Sequence, residues 1–312
     1  MGDEAFEPGG RMVELLQGLA PLEGYNLSGL ADVRFLRSNR ALADTPVLYD
    51  PGIVIVCQGR KRGYWGGETY LYDAQHYLAV ALPVPFTMET DATAAQPLLA
   101  IYFHLDVPLA TELMLELSAR RFPLAEPKGM YASPMEPPLR ASVLRFLEAM
   151  ASPIDSVVLG PALKREIYYR ILSGAQGGSL RSALAQEGDF GKVAKALRRI
   201  HASVGQPLTI SELAREANMS VSAFHAHFKK ATRTSPVQYL KATRLHLARL
   251  LMFRNTVTAA SAATTVGYES TSQFSREFKR LFGRTPKEEV AWMRQAFALP
   301  APSVPSGYVA SH

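Results

Sequence analysis

The chain has 312 residues, 34 Lys and Arg against 28 Asp and Glu, and 47% hydrophobic content, ample apolar material for two packed domains. No apolar run approaches the ~20 residues of a membrane span, and the acidic start (Asp3, Glu4, Glu7) reads as neither a secretory signal nor a transit peptide. The single cysteine, Cys57, excludes an internal disulfide and points to a reducing, cytoplasmic compartment.

In chain order, residues 1–20 read as a short lead helix around Met12–Leu16. From about 25 to 105 the texture is β, with strand-like runs at Pro46–Gln58, Gly63–Tyr72, His76–Leu82, Phe86–Thr90 and Leu98–Leu105. Turn signals separate them at Gly66-Gly67, Tyr72-Asp73-Ala74, Pro83-Val84-Pro85 and Asp91–Gln96. Short strands so spaced predict a small antiparallel barrel or sandwich, with Cys57 a buried thiol. From Val107 the apolar spacing becomes 3–4 residues: one helix through Leu117, a second opening at Pro137-Pro138, a third from Pro161 to Leu172. Their apolar stripes suit a core or a dimer seam, and a homodimer through helices in 137–173 is expected. Gly174–Gly178 reads as a linker and residues 299–312 as a disordered tail.

The C-terminal part differs in charge. Residues 190–297 hold 18 Lys and Arg against 6 Asp and Glu, whereas residues 1–189 hold 16 against 22. That imbalance fits a solvated basic face or an anionic partner, with nucleic acid first in line. A repeat favours the partner. Residues 220–236 (SVSAFHAHFKKATRTSP) and 270–286 (STSQFSREFKRLFGRTP) match at an offset of 50 in Ser220/Ser270, Ser222/Ser272, Phe224/Phe274, Phe228/Phe278, Lys229/Lys279 and Pro236/Pro286. The phenylalanines, four apart, share a buried helix face. Each unit follows a shorter helix and a tight turn. Thr209 and Glu212 form a capping-box pattern before the first turn, at Asn218-Met219-Ser220, and Gly267-Tyr268 mark the second. This is the helix-turn-helix pattern twice over. Between the units, Pro236–Phe253 reads as one amphipathic helix, a strut of roughly 27 Å that would set two recognition helices in adjacent stretches of major groove.

Three stretches, ISELAREANMSVSAFHAHFK, SPVQYLKATRLHLARLLM and VGYESTSQFSREFKRLFGRTP, make residues 190–297 similar to the AraC/XylS-type DNA-binding domain. Residues of about 47–105, and the helical stretch 107–185 with Leu163–Arg170, resemble the cupin-like effector domain of one AraC-type subfamily. The resemblance implies an α+β chain: an N-terminal antiparallel β-barrel (about 25–105) with helices 107–173, forming an effector and dimerisation domain over 1–185, then an all-α DNA-binding domain over 186–298 with two helix-turn-helix units. It implies base-reading positions at Ser222, His225 and Ala226 in the first recognition helix and at Ser272, Gln273 and Arg276 in the second. Arg276 suits guanine O6/N7 and Gln273 adenine N6/N7, while Lys229, Lys230, Lys279 and Arg280 would contact phosphates. Arg244, on the linking helix, is either part of this interface or a buried partner for a carboxylate. Two departures stand out. Ala226 replaces the usual Arg, which weakens base readout by the first unit, and Ala262 replaces the usual Ile, which loosens the second unit's leading helix.

The partners expected are double-stranded DNA, a small-molecule effector and, for an activator, RNA polymerase; no membrane, metal or cofactor is expected. The effector residues singled out are Arg34, Arg37 and Arg40, which recur every third residue, Arg60-Lys61-Arg62, and the adjoining Tyr64 and Trp65. They suit a solvated surface or an anionic effector such as a cyclic dinucleotide. An apolar ligand among Tyr64, Trp65, Tyr70, Tyr77, Phe86 and Phe103 is the other possibility. Two further readings stand beside the ligand-controlled regulator: a constitutive DNA-binding protein whose barrel only dimerises, and a cupin-type enzyme fused to a DNA-binding unit. The enzyme reading is disfavoured, because His76 and His104 are the barrel's only histidines and do not form the close pair a metal needs.

Overall fold

The computed structural model describes residues 8–119, 122–255 and 257–296; the tail expected at 299–312 lies outside them. Helix α1 (Pro8–Leu19) leads into β1 (Gly24–Leu27), β2 (Val33–Ser38), β3 (Leu42–Tyr49), β4 (Gly52–Gln58), β5 (Arg60–Trp65), β6 (Glu68–Asp73), β7 (His76–Val80), β8 (Val84–Asp91) and β9 (Leu98–His104). The order β1-β2-β9-β4-β7-β6-β5-β8-β3 is antiparallel throughout and forms a half-barrel.

Alternation along the strands gives this sheet two apolar faces. Leu36, Val54, Val56, Leu78, Val80 and Phe86 point inward. Phe35, Ile53, Ile55, Cys57, Leu99, Ile101 and Phe103 point outward, under a layer made by α1, α2 (Val107–Ser118), α3 (Pro137–Met150), α5 (Gly160–Ser173) and α6 (Gly177–Ala185). Because both faces are buried, β4 and β9 read as continuous apolar runs rather than alternating ones.

Several sequence expectations need correction. The run Pro46–Gln58 is two strands, broken at Asp50-Pro51, where the proline has no N–H to give a ladder. Gly63–Tyr72 is also two strands, β5 and β6, hinged on Gly66 and Gly67 with φ of 60° and 83°, a backbone that favours glycine in a two-residue hairpin. β1 and β2 went unread, and the charged Arg34 and Arg37 interrupt β2's apolar pattern. A tenth strand, β10 (Met130–Pro134), lies outside the stretch assigned to the barrel yet pairs with β7. Gly174–Gly178 is not a linker. Gly177 begins α6 pressed against the Leu172 carbonyl, which Arg181 of α6 also holds. A short helix, α4 (Pro153–Val158), separates α3 from α5.

Beyond α6 the chain turns through Gln186 and Gly188, both at positive φ, into α7 (Gly188–Ala202), α8 (Ile210–Glu216), α9 (Val221–Thr232), α10 (Pro236–Asn255), α11 (Ala259–Thr265), α12 (Thr271–Phe282) and α13 (Pro286–Ala296). The core of α7–α9 (Val193, Leu197, Leu213, Phe224, Phe228) is continuous, through Trp65, Leu82 and Tyr239, with the inner face of the half-barrel. The core of α11 and α12 (Ala262, Val266, Phe274, Phe278, Phe282) is separate and is completed by Leu245, Ala248 and Met252 of α10. Among the described residues no helix is long and apolar enough to cross a membrane.

Candidate nucleic-acid interface

The first unit pairs α8 with α9. Thr209 Oγ1 accepts from the Glu212 amide at 3.2 Å, and Glu212 Oε2 accepts from the Thr209 amide at 2.9 Å, so the capping box is closed in both directions. Asn218 makes the turn at φ 52°, a conformation asparagine tolerates. Ser220 Oγ then caps α9 by accepting from Ala223 N at 3.2 Å. Phe224 and Phe228 are fully buried, which turns Ser222, His225, Ala226, Lys229 and Lys230 to the exposed side.

The second unit repeats this with α11 and α12. Thr258 caps α11, Gly267 turns the chain at φ 82°, and Ser270 Oγ accepts from Gln273 N at 3.2 Å. Phe274, Phe278 and Phe282 are buried, and Ser272, Gln273, Arg276, Lys279 and Arg280 are exposed. The positions that the resemblance gives to base reading are therefore accessible in both helices. Ala262 is fully buried in the second core.

α10 joins the units over 20 residues, about 30 Å. Among the described residues, Arg244 on it pairs with no carboxylate. It donates to the carbonyls of Val204 at 3.0 Å, Gln206 at 3.0 Å and Gly267 at 3.3 Å, tying a loop of the first unit to the turn of the second. Arg249, fully buried, pairs with Glu289 of α13 at 3.2 Å and lies 4.4 Å over the Phe282 ring. Burial lowers the Arg249 pKa to about 10, so it stays charged at neutral pH and needs that carboxylate. Sequence reading missed this pair because two charges on amphipathic helices look like surface residues. It also missed Glu277 of α12, whose carboxylate accepts from Lys241 Nζ at 2.7 Å and from Tyr268 OH at 2.8 Å.

The basic end of α9 meets the half-barrel. Trp65 Nε1 donates to the Thr232 carbonyl at 3.1 Å. Arg233 sits at φ 55°, in the left-handed position filled by Gly283 in the second unit. Its side chain crosses Gly66, where a Cβ would collide with it, to reach Glu68 at 3.3 Å. Lys230 pairs with Glu126 at 2.9 Å, and that bond holds the Glu126 carboxyl below its usual range. Tyr239 OH donates to the Pro83 carbonyl at 2.7 Å, leaving its oxygen to accept from His201 Nε2 at 2.7 Å. Burial pushes His201 down to about 4, so it is neutral. No ion pair of Lys279, Arg280 or Arg276 occurs among the described residues.

Of the residues singled out for an effector, Arg62 and Tyr64 converge on Glu89, and the others are spread over both faces of the sheet. Arg60, Lys61 and Arg62 alternate along β5: Lys61 is 2% exposed and points inward, with Nζ 3.2 Å from Tyr49 OH. Arg62 points outward, held by Glu89 at 3.0 Å and Asp91 at 3.1 Å, and Arg60 is exposed. A three-residue spacing in a strand likewise puts Arg34 and Arg37 on opposite faces. Arg34 lies 5.9 Å from the Tyr25 ring, Arg37 reaches Asn39, and Arg40 lies beyond the strand near Glu23 at 3.7 Å. Of the aromatic residues, Trp65 and Phe86 belong to the inner core, Tyr77 and Phe103 to the outer one, and Tyr64 is exposed against Glu89. His76 pairs with Asp73 at 3.0 Å.

The family described as "AraC-type transcriptional regulator N-terminus" matches residues 29–179, and a "helix-turn-helix domain" family matches residues 213–290. Among curated proteins, the HTH-type transcriptional regulator AlkR of Acinetobacter baylyi is 36% identical over 96 residues, 31% of each chain. The RCS-specific transcriptional activator RclR of Escherichia coli is 36% identical over 91 residues, 29% of this chain and 32% of its own. These alignments span about a third of the relatives' length. Among solved structures, an apo variant of ToxT from Vibrio cholerae has a TM-score of 0.58 at 10% identity, covering 85% of this chain and 99% of its own. Wild-type ToxT with unsaturated fatty acid bound has 0.56 at 13%, covering 86% and 97%. At such identity the likeness is one of fold.

Proposed function

Because the chain belongs to the AraC-type family of transcriptional regulators, we propose that it binds double-stranded DNA in a sequence-dependent way, with α9 and α12 as recognition helices and the half-barrel as a ligand-responsive domain. One observation carries the reading. Two helices of matching sequence each bury a matched phenylalanine pair (Phe224/Phe228 and Phe274/Phe278) beneath an exposed polar face and carry adjacent basic residues in their last turn. Lys229, Lys230, Lys279 and Arg280 suit phosphates, and Ser272, Gln273 and Arg276 suit base edges. Ser222, His225 and Ala226 offer less, so the second unit carries more of the base readout.

Titrating the full chain onto promoter-length DNA at rising salt tests this. Affinity should fall steeply, with a log–log slope of about −0.9 per phosphate contact; a salt-independent interaction, or none, sinks the proposal. Arg276→Ala should cost about 1–3 kcal/mol and relax one base pair of the selected motif. An unchanged motif with lower affinity would make Arg276 a phosphate contact instead.

For the effector we favour an anion with an apolar body over a nucleotide. The inner face sets the Lys61 ammonium against Tyr49 and Met88 on the same apolar face that carries Leu36, Val54, Val56 and Phe86, whereas Arg34 and Arg37 lie on opposite faces of β2 and Arg62 is held by Glu89 and Asp91. ToxT, solved with a fatty acid bound, shares the fold. Thermal shift of the full chain with unsaturated fatty acids and with cyclic dinucleotides separates the two, and a shift with the dinucleotides alone would overturn this choice. We further propose a homodimer whose seam includes α4, where Ile154, Val157 and Val158 are exposed. Sedimentation at micromolar concentration tests it, and a monomer there would refute it. An activator would in addition engage RNA polymerase.

A further inference from the structure

The first turn of α12 carries an amide whose orientation is set from within the protein. Gln273 is exposed, and its Nε2 lies 3.4 Å from Glu277 Oε1, one turn further on. Glu277 is well anchored: its side chain is 11% exposed, Lys241 of α10 donates to the same oxygen at 2.7 Å, and Tyr268 donates to the other at 2.8 Å. Burial alone would raise this carboxyl, but the bonds from Lys241, Tyr268 and Gln273 hold it below its usual range. An ionised carboxylate can only accept. The edge of the Gln273 amide that faces it must therefore be the NH2, with the carbonyl oxygen turned away.

We propose that Glu277 is a positioning residue for base recognition. By holding the Nε2 end of Gln273, it makes that side chain present one acceptor and one remaining N–H to the groove. Adenine matches this pattern with its N6 donor and N7 acceptor, whereas guanine offers O6 and N7, two acceptors, and would require two donors. Glu277 thus sets Gln273 for adenine and against guanine. The inference rests on the reading of α12 as a groove-entering helix. The first unit has no such device, since Ala223 and His227 stand where Gln273 and Glu277 stand in the second.

Binding selection on randomised operators with the full chain tests it, using wild type, Gln273→Ala, Glu277→Gln, Glu277→Asp and Tyr268→Phe. Wild type should select adenine at one position, and Gln273→Ala should lose that choice. Glu277→Gln, which no longer dictates which amide edge faces it, should lower the adenine-over-guanine ratio there by about tenfold. Glu277→Asp, which keeps the charge but falls a methylene short of Gln273, should do likewise, so the test survives if one variant fails to fold. Tyr268→Phe removes a bond to Glu277 without touching Gln273; it should lower the melting temperature and leave the adenine choice intact. A folded Glu277→Gln or Glu277→Asp protein that keeps the full adenine preference overturns the proposal, while Gln273→Ala, by still changing that position, leaves α12 a reading helix. If Gln273→Ala changes no position, the assignment of that face to base reading fails and the proposal with it.

Discussion

The two helix-turn-helix units share a sequence pattern yet are held in different ways. The first closes its core on the half-barrel, so Phe224 and Phe228 belong to one apolar cluster with Val54, Leu78 and Trp65. The second closes its core on itself and α10, around a buried Arg249–Glu289 pair. A motif repeated in sequence need not be repeated in its energetics. The first unit is placed to respond to whatever alters the half-barrel, while the second touches β3 through α12 but keeps a core of its own.

The largest test of this contrast is Glu289→Ala. It strands the Arg249 guanidinium in the second core, and losing one member of a buried pair costs about 3–5 kcal/mol. Along a denaturant series, hydrogen exchange should then quicken first in α11 and α12, whose core is their own, and later in α9. A single shared transition would mean the units are not separable. Trp65→Ala attacks the other side, removing a buried indole and its bond to Thr232 at about 3 kcal/mol. Hydrogen exchange should quicken in α9 while α12 stays protected; equal acceleration in both would erase the distinction.

Acid provides a third test. His201 titrates near 6.5 when unfolded and at about 4 when folded, because burial opposes its charge. The unfolded chain therefore binds more protons between those values. The stability in question is present above pH 6.5 and is lost as pH falls toward 4, by roughly 2 kcal/mol at pH 5 for one such group. Urea midpoints at pH 7 and 5 measure it, and His201→Gln should remove the first unit's share. His246, buried in the second unit with Arg249 nearby, is also pushed well down, so that unit keeps an acid sensitivity of its own. The smallest effect concerns Lys230, which on the proposed DNA-binding reading would exchange Glu126 for a phosphate. Both side chains are largely exposed, so Glu126→Gln should tighten DNA binding only modestly, within about threefold. A loss of affinity would contradict competition at this point.

How far the sequence could be read follows from the physics of each element. The repeat was legible because paired phenylalanines, serine caps and terminal lysines each impose a spacing that does not depend on distant partners. The three long connector helices were legible for the same reason. β2 and β10 were not, because a strand is defined by its neighbours: Arg34 and Arg37 hide the first, and the second is recruited to β7 from about 50 residues away. Arg60-Lys61-Arg62 looked like one basic patch because a string of letters does not show the pleat that sends Lys61 inward. The joint between Trp65 and Thr232 spans 167 positions, and nothing local to either residue announces it.

The shared core also orders events at the ribosome. Domains fold largely as they emerge, N-terminal parts first. By the time Phe224 and Phe228 leave the exit tunnel, the strands bearing Val54, Leu78 and Trp65 have already been made, so α9 condenses onto a surface that is waiting for it. α12 emerges after it and finds its buried core partners Leu245, Ala248, Met252, Ala262 and Val266 within the preceding 40 or so residues. A nascent chain halted between the two units would hold a first unit already seated on the barrel, and α10 still waiting for the helices that cover its far end.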